Sequence, residues 1–112
     1  LLHAFGCKVL YNDILPMPQE LEERLKLERV ELDTLLTQAD IVTLHVPLTN
    51  LTEGMMGAAE FARMSPQSLF INTCRGKTYD LNALYDAVTS GHLLGTGIDP
   101  VFGCLPPSPH SI

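Results

Sequence analysis

Tryptophan is missing from this chain of 112 residues, aromatics amount to 6%, and only three cysteines occur, Cys7, Cys74 and Cys104. Three is an odd number and no two form a CxxC pair, so neither a disulfide framework nor a zinc site is expected, and no metal is assigned. Basic residues are scarce, seven against thirteen acidic ones, for a formal charge of −6. A phosphate-binding face needs the opposite balance, which argues against direct nucleic-acid binding. No apolar run approaches a membrane span, and the opening residues carry neither a basic leader nor a small-residue cleavage site. A reducing, cytoplasmic setting is the expectation. What remains, with 46% hydrophobic residues and no low-complexity run, is an ordinary globular composition with room for a modest core.

The chain opens LLHAFG, apolar residues running straight into a glycine. Helix nucleation is costly, so five residues do not stand alone. The segment reads as the tail of a longer helix stopped at Gly6, and the chain as cut. Cys7 to Tyr11 is a β-forming run that ends at Asn12-Asp13. Pro16 and Pro18 bar a helix before Gln19, after which Gln19 to Leu27 is charged and helix-favouring. Leu27 to Val30 fits a short edge strand, and Asp33 fits the cap of a helix over Thr34 to Ala39. Ile41 to Val46 is a continuous strand-type run closed by Pro47. GAAEFARM, residues 57–64, is helical and stopped by Ser65-Pro66, and Leu69 to Asn72 is the next strand. Apolar residues at 81, 84, 85 and 88, with Asp80 as cap and Gly91 as stop, predict a helix over Asp80 to Ser90. Leu93 to Ile98 is the last clear strand, and four prolines from Pro100 onward predict loop.

Strands alternate with helices and read as apolar on both faces. This is the pattern of an α/β chain with a doubly wound parallel sheet and helices on both faces. Right-handed crossovers then gather every strand-to-helix junction on one edge: Asn12-Asp13, His45-Val46-Pro47, Asn72 to Gly76, and Asp99.

Several residues on that edge have two readings. Asp13 is either a plain loop aspartate or the acidic residue that accepts hydrogen bonds from an adenosine ribose and repels a 2′-phosphate. The GxGxxG turn that would cradle a pyrophosphate upstream is absent from the sequence. Arg75, after Asn72-Thr73-Cys74 and before Gly76, is either a surface ion-pair arginine or a fixed fork that clamps a carboxylate and polarises the neighbouring carbonyl. Asp99 closes GTGID, as an ordinary strand-end residue or as an acceptor for a carboxamide. His45, flanked by Leu and Val, reads as a satisfied core histidine. Cys74 fills a small space, although Arg75 beside it would favour a reactive thiolate.

DIVTLHVPLT (Asp40 to Thr49), LFINTCRG (Leu69 to Gly76), ALYDAVTSGHLLG and GTGID together resemble the NAD-binding domain of the D-isomer-specific 2-hydroxyacid dehydrogenases. That group includes phosphoglycerate, glyoxylate/hydroxypyruvate, D-lactate and formate dehydrogenases. The resemblance runs from Leu1 to about Phe102. It implies a partial Rossmann-type fold over residues 1–102, without its first strand and glycine-rich turn, followed by a Pro-rich tail or loop over 103–112. It also implies NAD as cofactor, a small 2-hydroxy or 2-keto acid as substrate, and a homodimer in the complete protein. Arg75 would be the catalytic arginine. Asp13 would hold the adenosine ribose, Val46 and Pro47 would line the adenine and ribose wall, Thr73 and Cys74 would contact the nicotinamide-side ribose, and Asp99 the carboxamide.

The family pattern continues D-V-F-x-x-E-P, whose glutamate orients a catalytic histidine. Here Cys104 or Leu105 stands at the glutamate, no acidic residue follows Asp99, and His110 lacks the usual setting. General acid–base catalysis contributes about 10²–10⁴ in rate, so the isolated chain is expected to be inactive. The alternative reading is a degenerate relative that senses a dinucleotide as a scaffold or corepressor-type binding protein. A truncated product that self-associates through uncovered apolar surface is a third.

Overall fold

The computed structural model describes residues 1–99. The expected Pro-rich tail over 103–112, with Cys104, Leu105 and His110, lies outside the described residues.

Among the described residues five short strands and four helices alternate. They are β1 (Val9–Tyr11), α1 (Gln19–Leu25), β2 (Leu27–Arg29), α2 (Leu32–Gln38), β3 (Ile41–Leu44), α3 (Ala58–Arg63), β4 (Leu69–Asn72), α4 (Leu81–Thr89) and β5 (Gly95–Ile98). Every pairing is parallel. β1 pairs with β2, and β3, β4 and β5 form a second sheet with β4 at its centre. The expected α/β, Rossmann-like architecture is therefore what the chain adopts, as parallel sheets with helices.

Local chemistry explains most boundaries. The opening apolar residues make a single 3-10 turn, Leu2–Phe5, and Gly6 stops it at φ 76° with its N–H on the carbonyls of Leu2 and His3. α4 has the expected cap: Asp80 Oδ1 accepts from Asn82 N at 2.9 Å and Ala83 N at 3.0 Å, and Gly91 follows at φ 80°. Glu60 Oε2 accepts from Gly57 N at 3.0 Å at the start of α3. Asp33 departs from expectation. α2 starts at Leu32 behind Glu31, with no side-chain cap, and Asp33 sits in its first turn, paired with Arg63 on α3 at 2.9 Å. A carboxylate there still complements the helix dipole, so it supports the helix without capping it.

The core lies on one face of the three-stranded sheet. Val42 and Leu44 of β3 and Phe70 of β4 point into it, with Leu36 of α2, Phe61 of α3 and Leu84 of α4 above them. Phe70 receives the edges of Phe61 and Tyr79, with ring centroids 5.1 and 5.9 Å away. The register sets Val42 beside Phe70 and Leu44 beside Asn72 on this face, and Ile41 beside Leu69 and Thr43 beside Ile71 on the other. Among the described residues that second face is apolar, as its sequence reads, but only partly covered, with Ile41 56% exposed. Tyr85, on the expected apolar stripe of α4, is likewise outside, at 67%. No helix among the described residues is long and apolar enough to cross a membrane.

Candidate functional site

β4 delivers its last residue, Asn72, to the sheet edge, and the chain turns through Thr73-Cys74-Arg75 into a 3-10 turn, Gly76–Thr78. Side chains of buried residues define this turn. Asn72 Oδ1 accepts from Cys74 N at 2.8 Å. Its Nδ2 donates to Thr78 Oγ1 at 3.0 Å and reaches the Arg75 carbonyl at 3.5 Å. Thr78 is fully buried, and its hydroxyl donates to that same carbonyl at 2.7 Å. The Cys74 thiol donates to the Leu44 carbonyl at the end of β3, 3.1 Å away. The half-buried thiol thus links two strand ends as well as filling space.

Arg75 is exposed and extended, at φ −106° and ψ 139°. No ion pair reaches its guanidinium among the described residues, where the pairs are Lys8–Glu28 and Arg63–Asp33. It lines a cleft of about 500 Å³, open to solvent, with His45, Val46, Pro47, Thr73 and Cys74. Five of the expected site residues thus converge on one cavity, in which Arg75 carries the only permanent charge. Such a cleft fits a small anion: a guanidinium fork meets a carboxylate, and Val46 and Pro47 give an apolar wall.

Asp99 does not line this cleft; its backbone N–H donates at 2.9 Å to the carbonyl of Asn72, the residue before cleft-lining Thr73. Asp13 is not in the cleft lining. It follows β1 in the two-stranded sheet, exposed, with Oδ1 accepting from Leu15 N at 3.2 Å as in an Asx-turn. Its carboxylate retains acceptor capacity toward a ribose. His45 corrects the reading as a core histidine: it is exposed, with Nε2 at 3.0 Å from Thr43 Oγ1. Strand alternation explains this, since Val42 and Leu44 take the inward positions. Sequence reasoning passes over Thr78 and treats Asn72 only as a junction. The available signal was symmetric, an amide three residues before Arg75 and a hydroxyl three after it. Among the described residues, no three His, Cys, Asp or Glu side chains cluster as metal ligands.

An open parallel sheet with polar groups ranked along one strand-end edge is the layout of α/β nucleotide-binding domains. Residues 1–111 match the family model described as D-isomer specific 2-hydroxyacid dehydrogenase, NAD binding domain, and the chain belongs to that family. It is 42% identical over 96 residues to the glyoxylate reductase of Thermococcus litoralis, covering 86% of this chain and 29% of that protein. The apo D-mandelate dehydrogenase of Rhodotorula graminis superposes with a TM-score of 0.88 at 37% identity, covering 96% of this chain and 32% of that one. A D-lactate dehydrogenase of Aquifex aeolicus, solved with NAD and lactic acid, superposes at 0.83 with 37% identity, covering 90% and 30%. The chain spans about 30% of the length of these relatives. The corepressor-type alternative gains no support from them.

Proposed function

We propose that this chain is the cofactor-binding part of an oxidoreductase that moves hydride between nicotinamide and a D-2-hydroxy acid or 2-keto acid. The observation that carries the reading is Arg75, exposed in the strand-end cleft with no ion pair among the described residues. A carboxylate is the partner that its fork fits, and an adjacent keto oxygen would gain negative character as hydride arrives at C2. The acceptors and walls fit NAD: Asp13 would accept from the adenosine ribose, Val46 and Pro47 would flank the adenine side, Thr73 and Cys74 would meet the nicotinamide-side ribose, and Asp99 would accept from the carboxamide. NAD, when bound, supplies or takes the hydride. On this reading residues 1–102 are a partial dinucleotide-binding domain within a homodimeric enzyme. Cys7 and Cys74, free among the described residues, favour a cytoplasmic setting, and the charge of −6 disfavours nucleic acid as a partner.

The test is a steady-state assay with NADH and glyoxylate, hydroxypyruvate or pyruvate. It uses a polypeptide of the relatives' length in which this chain replaces the matching segment of the Thermococcus litoralis reductase. Turnover is expected, and Arg75→Ala should lower kcat/KM for the keto acid by about 10²–10³ while NADH binding persists. Absence of turnover with every 2-keto acid overturns the reading.

A further inference from the structure

Arg75 is a long, exposed side chain on a turn that extends beyond the last strand pairing, so something else must fix where its guanidinium stands. The structure provides a buried polar hub beneath it. Asn72 is 3% exposed and Thr78 fully buried, where a polar group is tolerated only if its hydrogen bonds are made. Their side-chain bonds are made, and all within residues 72–78. The Arg75 carbonyl receives Thr78 Oγ1 at 2.7 Å, Thr78 N at 3.1 Å and Asn72 Nδ2 at 3.5 Å. On its other side, Cys74 N is held by Asn72 Oδ1 at 2.8 Å. The backbone of Arg75 is thus gripped both before and after its Cα.

The same asparagine faces a second task. Its main-chain carbonyl accepts from Asp99 N at 2.9 Å. One residue therefore sets the position of the turn carrying Arg75 through its side chain, and the position of Asp99 through its backbone. Resting on the reading above, we infer that Asn72 and Thr78 are positioning residues that hold the substrate-clamping arginine in register with the cofactor-side aspartate. Both are buried and neither lines the cleft. They act by fixing the distance between two groups that must engage neighbouring molecules at once, where a displacement of about 1 Å can lower rate about 10²-fold.

Thr78→Val keeps the side-chain shape and removes the hydroxyl, whereas Thr78→Ser keeps the hydroxyl. In the enzyme assayed above, Thr78→Val should lower kcat/KM for the keto acid about 10- to 100-fold, with KM for NADH unchanged within about twofold. Thr78→Ser should stay within about threefold of the parent. A role confined to stability would lower the yield of folded enzyme but leave the kinetics of the folded fraction intact. In the 112-residue chain itself, Thr78→Val should speed tryptic cleavage after Arg75 about fivefold relative to cleavage after Arg29, because the turn loses its anchor. If Arg75→Ala lowers kcat/KM as expected while Thr78→Val keeps the parental value, or if cleavage after Arg75 does not accelerate, the positioning role is wrong and the proposed function stands. Parental kcat/KM in Arg75→Ala removes the function first, and the positioning role with it.

Discussion

Residues 7–30 and residues 32–98 follow the same rhythm of parallel strands joined by helical crossovers, yet among the described residues every buried side chain belongs to the second. β1 is half-buried throughout and α1 buries nothing. β3 and β4 instead contribute Val42, Leu44 and Phe70 to a core closed by three helices. The pattern that makes a strand is therefore not the pattern that makes a core. A βαβ unit acquires burial only when further layers cover it. The residues proposed for the site straddle this boundary, with Asp13 on the lightly packed side and Arg75, Thr73 and Cys74 on the firmly packed one. The group proposed for chemistry rests on the firmly packed part, and Asp13, proposed for the adenosine ribose, on the lightly packed part.

The strongest way to break this contrast is to empty the core. Phe70→Ala, at 0% exposure, should cost about 3–5 kcal/mol. Leu27→Ala, at the one half-buried residue of β2, should cost under about 1 kcal/mol. Urea unfolding of the two variants reads the difference, and equal losses would show that the two regions share one core. A smaller effect is expected at Asp80, where removing the cap of α4 should cost about 1 kcal/mol, measured the same way. The smallest lies in the lightly packed part. Burial, then the hydrogen bond to the Glu22 carboxylate, raise the Tyr11 phenol above its ordinary 10.0. The folded state therefore keeps a proton that the unfolded chain releases. The resulting stability is complete below the ordinary value and is lost as pH rises through the raised one. Tyr11→Phe should flatten that alkaline slope as pH rises past the ordinary value of 10.0. A slope that persists in Tyr11→Phe assigns it to other groups.

The fold was largely legible because its signals are local. Leu69 to Asn72 is a strand over the expected residues, and Asp80 and Gly91 bound α4 as capping chemistry requires. Where reading failed, the deciding contact was distant or the wrong local rule was applied. Asp33 is a good cap in isolation, but its carboxylate meets Arg63 from another helix. His45 is apolar-flanked, but strand alternation outranks its neighbours and turns it outward. Of the site, Arg75 and the residues around it were visible as a strand-end cluster. Thr78 was not, because its value depends on Asn72 being buried beside it, which no spacing rule reports.

The connection at the opposite edge of the sheet leaves a different lesson. Gln67 adopts φ 63°, a conformation that glycine enters without a steric penalty. Yet its backbone N–H donates to the His92 carbonyl at 2.7 Å and its side-chain amide to the Gly91 carbonyl at 2.5 Å. The backbone asks for a residue with no side chain, and the junction asks for one that can donate. In evolutionary terms this is a narrow position: glycine satisfies the first demand and forfeits the second, while most other residues satisfy neither. Drift there should be confined to the few polar side chains that tolerate a left-handed turn while reaching across it.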